Sequence, residues 1–234
     1  MKRFSFLAAC LLMAGMVHGQ VADRQTYLNE FRKEMQVKWP KNRTLNIVFH
    51  GHSVPSGYFH GGVVNTMQAY PHLVFHGIKT QYPYTVLNVL TTSIGGEQAE
   101  QGEKRFADEV LTHRPDVLFI DYALNDRSIG LERAEKAWRK MVEAALAKGI
   151  KVILLTPTPD LTEDILDEKT PLAGHAAMIR RLAAEYHVGL VDSYQLFKEK
   201  AAKGEDLKAY MSQNNHPNPA GHSCVAGEIM AWFF

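Results

Sequence analysis

Five short apolar runs, each separated from the next by a stretch that includes helical spacing, constrain this chain more than any other feature. They are Thr44–Phe49, Thr85–Leu90, Val117–Tyr122, Lys151–Thr156 and Val188–Val191. Runs of this kind suit strands buried on both faces. Strands that alternate with helices build a parallel sheet with helices packed on both sides. The intervening segments fit that plan. Along Leu131–Lys148, the residues Leu131, Ala134, Trp138, Met141 and Ala145 recur at three- and four-residue steps, and Gly149 follows as a stop. Glu97–His113 reads as a second helix. Pro171–Tyr186 and Pro219–Trp232 each carry a proline near the start, where its missing amide proton does no harm. The expected fold class is therefore α/β, a three-layer α/β/α sandwich with a five-stranded parallel sheet.

The amino terminus stands apart from this plan. Lys2 and Arg3 precede an apolar stretch from Phe4 to Val17, which ends in Val17-His18-Gly19 before Gln20. That is the layout of a cleavable secretory signal, with cleavage expected after Gly19. The stretch is shorter than the ~20 residues of a spanning helix, and polar sequence follows it, so no stable membrane anchor is expected. Leu7-Ala8-Ala9-Cys10 has the outline of a lipoprotein box, but few apolar residues precede Cys10 and the apolar run continues beyond it. Residues 1–19 are read as signal peptide and residues 20–234 as one domain, exported to the periplasm or secreted. The 26 basic and 25 acidic residues nearly balance. Loss of Lys2 and Arg3 tips the remainder slightly acidic, and nothing marks a nucleic-acid surface. Cys10 leaves with the signal and Cys224 remains alone, so no internal disulfide is expected and core packing has to hold the fold. No motif calls for a cofactor, and nothing fixes an oligomeric state.

Parallel α/β sheets bind ligands in the crevice at the carboxyl ends of their strands, which directs attention to four segments. The first strand runs into Gly51-His52-Ser53-Val54-Pro55, where Gly51 permits a tight bend that leaves the Ser53 hydroxyl at the sheet edge. The second leads to Ile94-Gly95-Gly96-Glu97, a glycine pair opening a helix whose free amides face an anion. After the third comes Asn125-Asp126. Gln213-Asn214-Asn215-His216-Pro217-Asn218 forms a loop before the last helix, with Gly221-His222 inside it. Hydroxyl, imidazole and amide donors are the parts that ester hydrolysis needs. A Gly-x-Ser-x-Gly elbow is missing at Ser53, and the serine follows the first strand, which disfavours an ordinary α/β-hydrolase.

These blocks, in this order, resemble the SGNH or GDSL-like hydrolases, and the resemblance covers nearly all of residues 20–234. Gly51-His52-Ser53 resembles the nucleophile block, Gly96 the glycine block, Asn125-Asp126 the asparagine block and His216-Pro217-Asn218 with Gly221-His222 the histidine block. The resemblance implies an SGNH hydrolase-like, flavodoxin-like sandwich. It also implies Ser53 as nucleophile, His216 as base, and an oxyanion hole from the amides of Ser53 and Gly96 and the side chain of Asn125. The implied substrate is a small-molecule or polysaccharide ester, often acetylated carbohydrate. Export and the lack of a long apolar loop near Ser53 favour short acyl groups.

Two departures stand out. His52 occupies a place where the family usually has aspartate, and so does Gln213, three residues before His216. The second leaves open a Ser53–His216 dyad, a backbone carbonyl, an acid from elsewhere, or Gln213 itself as the group that orients the imidazole. His222, in the final helix, is expected to be structural. A carbohydrate-binding pseudoenzyme is the non-enzymatic alternative, motivated by that missing aspartate and by Tyr58, Phe59, Tyr70, Tyr82 and Tyr84 in prospective surface loops. Metal-dependent hydrolysis is a weaker alternative still. His50 with His52, and His72 with His76, lack a third ligand or a His-Glu-x-x-His pattern, so no metal is expected.

Overall fold

A computed structural model describes residues 19–234; the signal segment and its Cys10 box lie outside them, apart from Gly19. The elements in chain order are α1 (Asn29–Met35), β1 (Thr44–Gly51), α2 (Ser53–Ser56), α3 (Tyr70–Gln81), β2 (Val86–Thr91), α4 (Ala99–Glu109) and β3 (Val117–Asp121). Then come α5 (Ala123–Asp126), α6 (Leu131–Leu146), β4 (Lys151–Leu155), α7 (Pro171–Glu185), β5 (Gly189–Val191) and α8 (Ser193–Ala202). The chain finishes with β6 (Met211–Gln213), β7 (His216–Pro217) and α9 (Pro219–Met230).

All five expected strands form, and they pair in parallel in the order β2-β1-β3-β4-β5. Alternation along each strand sorts its side chains into two cores. Ile47, Phe49, Phe119, Ile153 and Leu155 face a core with residues of α1, α3 and α9. Val48, Leu118, Ile120, Val152 and Leu154 face the other, where Phe106, Trp138, Met141 and Leu182 cover them from α4, α6 and α7. Burial on both faces is why the β1, β3 and β4 runs read as continuous rather than alternating, whereas the edge strand β2 buries only Leu87. From β1 the chain moves outward to β2 and then returns past β1 to β3. The direction of winding thus reverses beside β1 and β3, and their carboxyl ends flank the resulting crevice.

Several boundaries differ from expectation for identifiable reasons. Helix α4 starts only at Ala99, because Gln98 forms a capping box with Gln101: its Oε1 accepts from the amides of Glu100 and Gln101. The Asp126 carboxylate takes the Ala99 amide at 2.7 Å. The glycine pair is accordingly a turn ahead of a fully capped helix, not the opening of an anion-facing one. The end of the expected Glu97–His113 helix tightens into a 3-10 turn at Leu111–His113. Tyr70, expected in a surface loop, is 1% exposed within α3, and its hydroxyl donates to Asp121 Oδ2 at 2.8 Å. Helices α1, α3 and α8 and the β6–β7 hairpin were not anticipated. Among the described residues, no helix is long and apolar enough to cross a membrane.

Candidate active site

Ser53 is the first residue of α2, separated from the end of β1 by His52 alone. Gly51 is required there for close approach rather than for an unusual bend: a Cβ on it would lie 2.3 Å from the Asp121 carbonyl oxygen of the neighbouring strand. His52 caps the short helix, its Nδ1 accepting from the Val54 amide at 3.2 Å. That acceptor role puts the imidazole proton on Nε2, which faces Asp121 Oδ1 at 3.5 Å. The carboxylate beside the nucleophile turn thus comes from β3, whose Asp121 is the register partner of Gly51.

His216 reaches Ser53 from the β6–β7 hairpin, with Nε2 2.7 Å from Ser53 Oγ. The hairpin is pinned on two sides: Leu161 donates its amide to the Asn214 carbonyl at 2.8 Å, and Gly221 packs so closely that a Cβ on it would meet the Tyr210 carbonyl at 2.2 Å. For Nε2 to accept the serine proton, Nδ1 must carry the ring proton and find an acceptor. Asn215 Oδ1 lies 2.8 Å from it, and the Gln213 side-chain amide lies 2.5 Å away. Rotating the Gln213 amide by half a turn presents its oxygen as a second acceptor. Gln213 therefore contacts the ring, as one of the alternatives anticipated, and Asn215 is a partner that the sequence reading missed. Its only signal was adjacency to His216. Burial, and then the nearby His52, push the His216 pKa down to about 4, so the imidazole is neutral and able to accept a proton at neutral pH.

Ser53, Gly96 and Asn125 follow the carboxyl ends of β1, β2 and β3, which are neighbours in the sheet. The Ile94 amide donates to the Gly51 carbonyl at 3.1 Å, which ties the glycine turn to the nucleophile turn. Asn125 Nδ2 donates to the Glu97 carbonyl at 2.9 Å, leaving its second proton available. Gly96 has φ +78° with open space where a side chain would stand, a backbone state that glycine adopts without cost. Neither the Gly96 amide nor the Ser53 amide, in the first turn of α2, is spent on a hydrogen bond among the described residues.

A buried polar cluster stands behind the glycine turn. Arg105 grips Glu97 with Nε at 2.8 Å and Nη2 at 2.5 Å, Tyr122 Oη donates to Glu97 Oε2 at 2.8 Å, and His50 Nε2 lies 3.0 Å from the same hydroxyl. His50 is held neutral by burial, with its pKa pushed down to about 3. It faces Tyr122 and Thr92 while His52 faces Val54 and Asp121, so the two do not act as a matched pair. Among the described residues, no group of three or more His, Cys, Asp or Glu side chains is arranged to hold a metal ion. His222 is fully buried, stacked on Phe59 with ring centroids 5.7 Å apart, and its Nδ1 accepts from the Tyr70 amide at 3.3 Å. It packs behind the site rather than in it.

Comparison with known proteins bears on this geometry. An acetyl xylan esterase has the same fold, with a TM-score of 0.68 at 22% identity over 79% of this chain and 98% of that one. So does a two-domain esterase active on acetylated mannans, at TM-score 0.73 and 21% identity over 88% of this chain and 52% of that one. An acetylxylan esterase from Geobacillus stearothermophilus aligns at TM-score 0.69 and 20% identity over 83% of this chain and 94% of that one. In sequence, 81 residues are 32% identical to an uncharacterized lipoprotein of Bacillus subtilis (strain 168), a match over 31% of this chain and about a third of that relative, 33%. The model of the GDSL-like lipase/acylhydrolase family matches residues 49–224. That span takes in all four blocks and most of the sheet, and the chain belongs to this family, which makes it a carboxylic ester hydrolase.

Proposed function

We propose that the protein is an exported serine esterase that removes short acyl groups, acetyl foremost, from carbohydrate. The observation that carries the reading is the 2.7 Å contact between Ser53 Oγ and His216 Nε2 at the carboxyl edge of the sheet. In this mechanism Ser53 Oγ attacks the ester carbonyl carbon as its proton passes to His216 Nε2. The Ser53 and Gly96 amides and Asn125 Nδ2 hold the oxyanion. Collapse breaks the bond to the alcohol oxygen, which takes the proton from His216 and leaves. Water, deprotonated by His216, then attacks the acyl-serine and releases the carboxylic acid, restoring Ser53.

The carbohydrate assignment draws support from structural relatives that act on acetylated xylan and mannan. Export is supported by the amino-terminal signal layout and by the lipoprotein among the sequence relatives. The test is Ser53→Ala assayed on 4-nitrophenyl acetate. Turnover should fall by about a thousandfold or more while the fold persists, and EDTA should leave the wild type unaffected. Binding of a glycan without acyl release by the wild type would favour the pseudoenzyme instead. Acetyl esters should exceed octanoyl esters in kcat/KM; the reverse order would remove the short-acyl part of the proposal.

A further inference from the structure

Beside His216 opens a cleft of about 560 Å³ lined by His60, Asp160, Thr162, Gln213, Asn214 and Asn215. Its volume lies within the ~300–1,000 Å³ range of small-molecule sites, yet every lining side chain is polar, where such sites are mostly apolar. Resting on the esterase reading above, we propose that this cleft binds the sugar ring from which the acyl group is removed, with Asn214 and His60 as its specificity-determining contacts.

When the tetrahedral intermediate collapses, the proton on His216 Nε2 has to reach the departing alcohol oxygen, so the alcohol lies on the His216 side of the bond being cut. Gln213, Asn214 and Asn215, on the hairpin that carries His216, form one wall of the cleft. The cleft wall meets the His216 imidazole at Nδ1, the edge opposite the one that faces Ser53, so a group on the leaving oxygen reaches the cleft by spanning that ring. There it meets amides, a hydroxyl and an imidazole, which suit a polyhydroxylated ring and would leave an alkyl chain facing polar groups.

Some of these groups are already engaged and serve as framework. Asp160 Oδ2 accepts from Arg127 Nη2 at 2.6 Å, and its Oδ1 takes the amide and hydroxyl of Thr162 at 3.0 and 2.6 Å. The amides of Gln213 and Asn215 are turned to His216 Nδ1. Asn214 and His60 differ. Both are exposed, and neither side chain makes a hydrogen bond among the described residues. Their main chains are nonetheless pinned: the Asn214 carbonyl accepts from Leu161, and the His60 amide donates to Ser212 Oγ at 2.8 Å. Free polar tips on a fixed backbone are preorganised for sugar hydroxyls.

The measurement is the ratio of kcat/KM on acetylated xylobiose to kcat/KM on 4-nitrophenyl acetate, for wild type, Asn214→Ala, His60→Ala and the double variant. The aryl ester gives the cleft no hydroxyls to hold. Loss of two hydrogen bonds should lower the ratio about tenfold or more in the double variant, through a higher KM for the sugar ester. A ratio unchanged in the double variant, or an equal loss on both substrates, overturns the proposal while leaving the esterase reading intact. Failure of the wild type to cleave either ester overturns the esterase reading, and the proposal with it.

Discussion

Asn215 Oδ1 lies 2.8 Å from Nδ1 of His216, its neighbour in sequence, on the side of the ring away from Ser53. Together with the Gln213 amide, it fills the position where an aspartate would otherwise orient the imidazole. A neutral acceptor can hold the tautomer but supplies no charge to the imidazolium formed during attack. If the two amides share this role, Asn215→Ala and Gln213→Ala should each lower kcat by about tenfold, the worth of roughly one hydrogen bond. The double variant should lose more than the product of the two, since nothing then fixes the ring. Full activity in the double variant would show that the ring needs no partner on that face.

The same arrangement predicts an unusual pH profile. Burial holds the His216 pKa near 4, with the adjacent His52 adding to the effect. Catalysis requires the neutral ring, so kcat/KM should be lost only as pH falls through about 4, instead of through the ordinary histidine range. Gln213→Asp places a carboxylate beside the ring, favours its charged form and should move the acidic limb to higher pH. Measured profiles of the two proteins that superimpose on the acid side would show that residue 213 does not reach the imidazole in solution.

Much of this was legible in the sequence, and what was not has physical reasons. The inner strands announce themselves because both of their faces are buried, as Val117–Asp121 shows with every residue in the interior; the edge strand β2, largely exposed, shows only through its apolar run. Ser53, Gly96 and Asn125 follow shortly after the ends of β1, β2 and β3, so locating the strands located them, while His216 was found through the loop ahead of the last helix. Helix α1 is seven residues long and buries only Phe31 and Met35, too few positions for a period to show. Helix α3 begins at Tyr70-Pro71, where a tyrosine among glycine-rich and polar neighbours gives no sign that it will be sealed against Asp121. The role of Asn215 depends on a hairpin bend that folds it back onto the next residue. Asp121 and Glu97 matter through partners 51 and 25 residues away, and such pairing has no local signature.

Tyr122 links the second core to the glycine turn. Its hydroxyl donates to Glu97 Oε2 and lies 3.0 Å from His50 Nε2, and the Glu97 carbonyl in turn holds Asn125. Tyr122→Phe removes that hydroxyl from a buried cluster and leaves Glu97 to Arg105 alone. The expected cost is about 1–2 kcal/mol, read as a fall in Tm of roughly 2–8 °C. Because Glu97 sits between Gly96 and the capped start of α4, kcat should also fall several-fold with KM little changed. A lower Tm with kcat preserved would confine the cluster to a stabilising role.

Asp126 carries a conflict between two effects that experiment can decide. It is fully buried, which favours the neutral acid, yet its two oxygens accept from the Ala99 amide and from Trp138 Nε1, both at 2.7 Å, which favours the carboxylate. Burial outweighs the hydrogen bonds and lifts the pKa to about 6. A folded-state pKa above the unfolded value means that the folded protein holds the proton more tightly. The resulting stability is complete below about pH 4 and is lost as pH rises through about 6. Asp126→Asn keeps the shape and abolishes the titration, but it points an amide N–H at one of the two donors, so it should be less stable by about 1–3 kcal/mol at neutral pH. Urea unfolding of both proteins between pH 4 and 7 should show the gap between them narrowing as pH rises. A gap that widens would mean that the two hydrogen bonds win and that Asp126 is an ionised cap for α4 throughout.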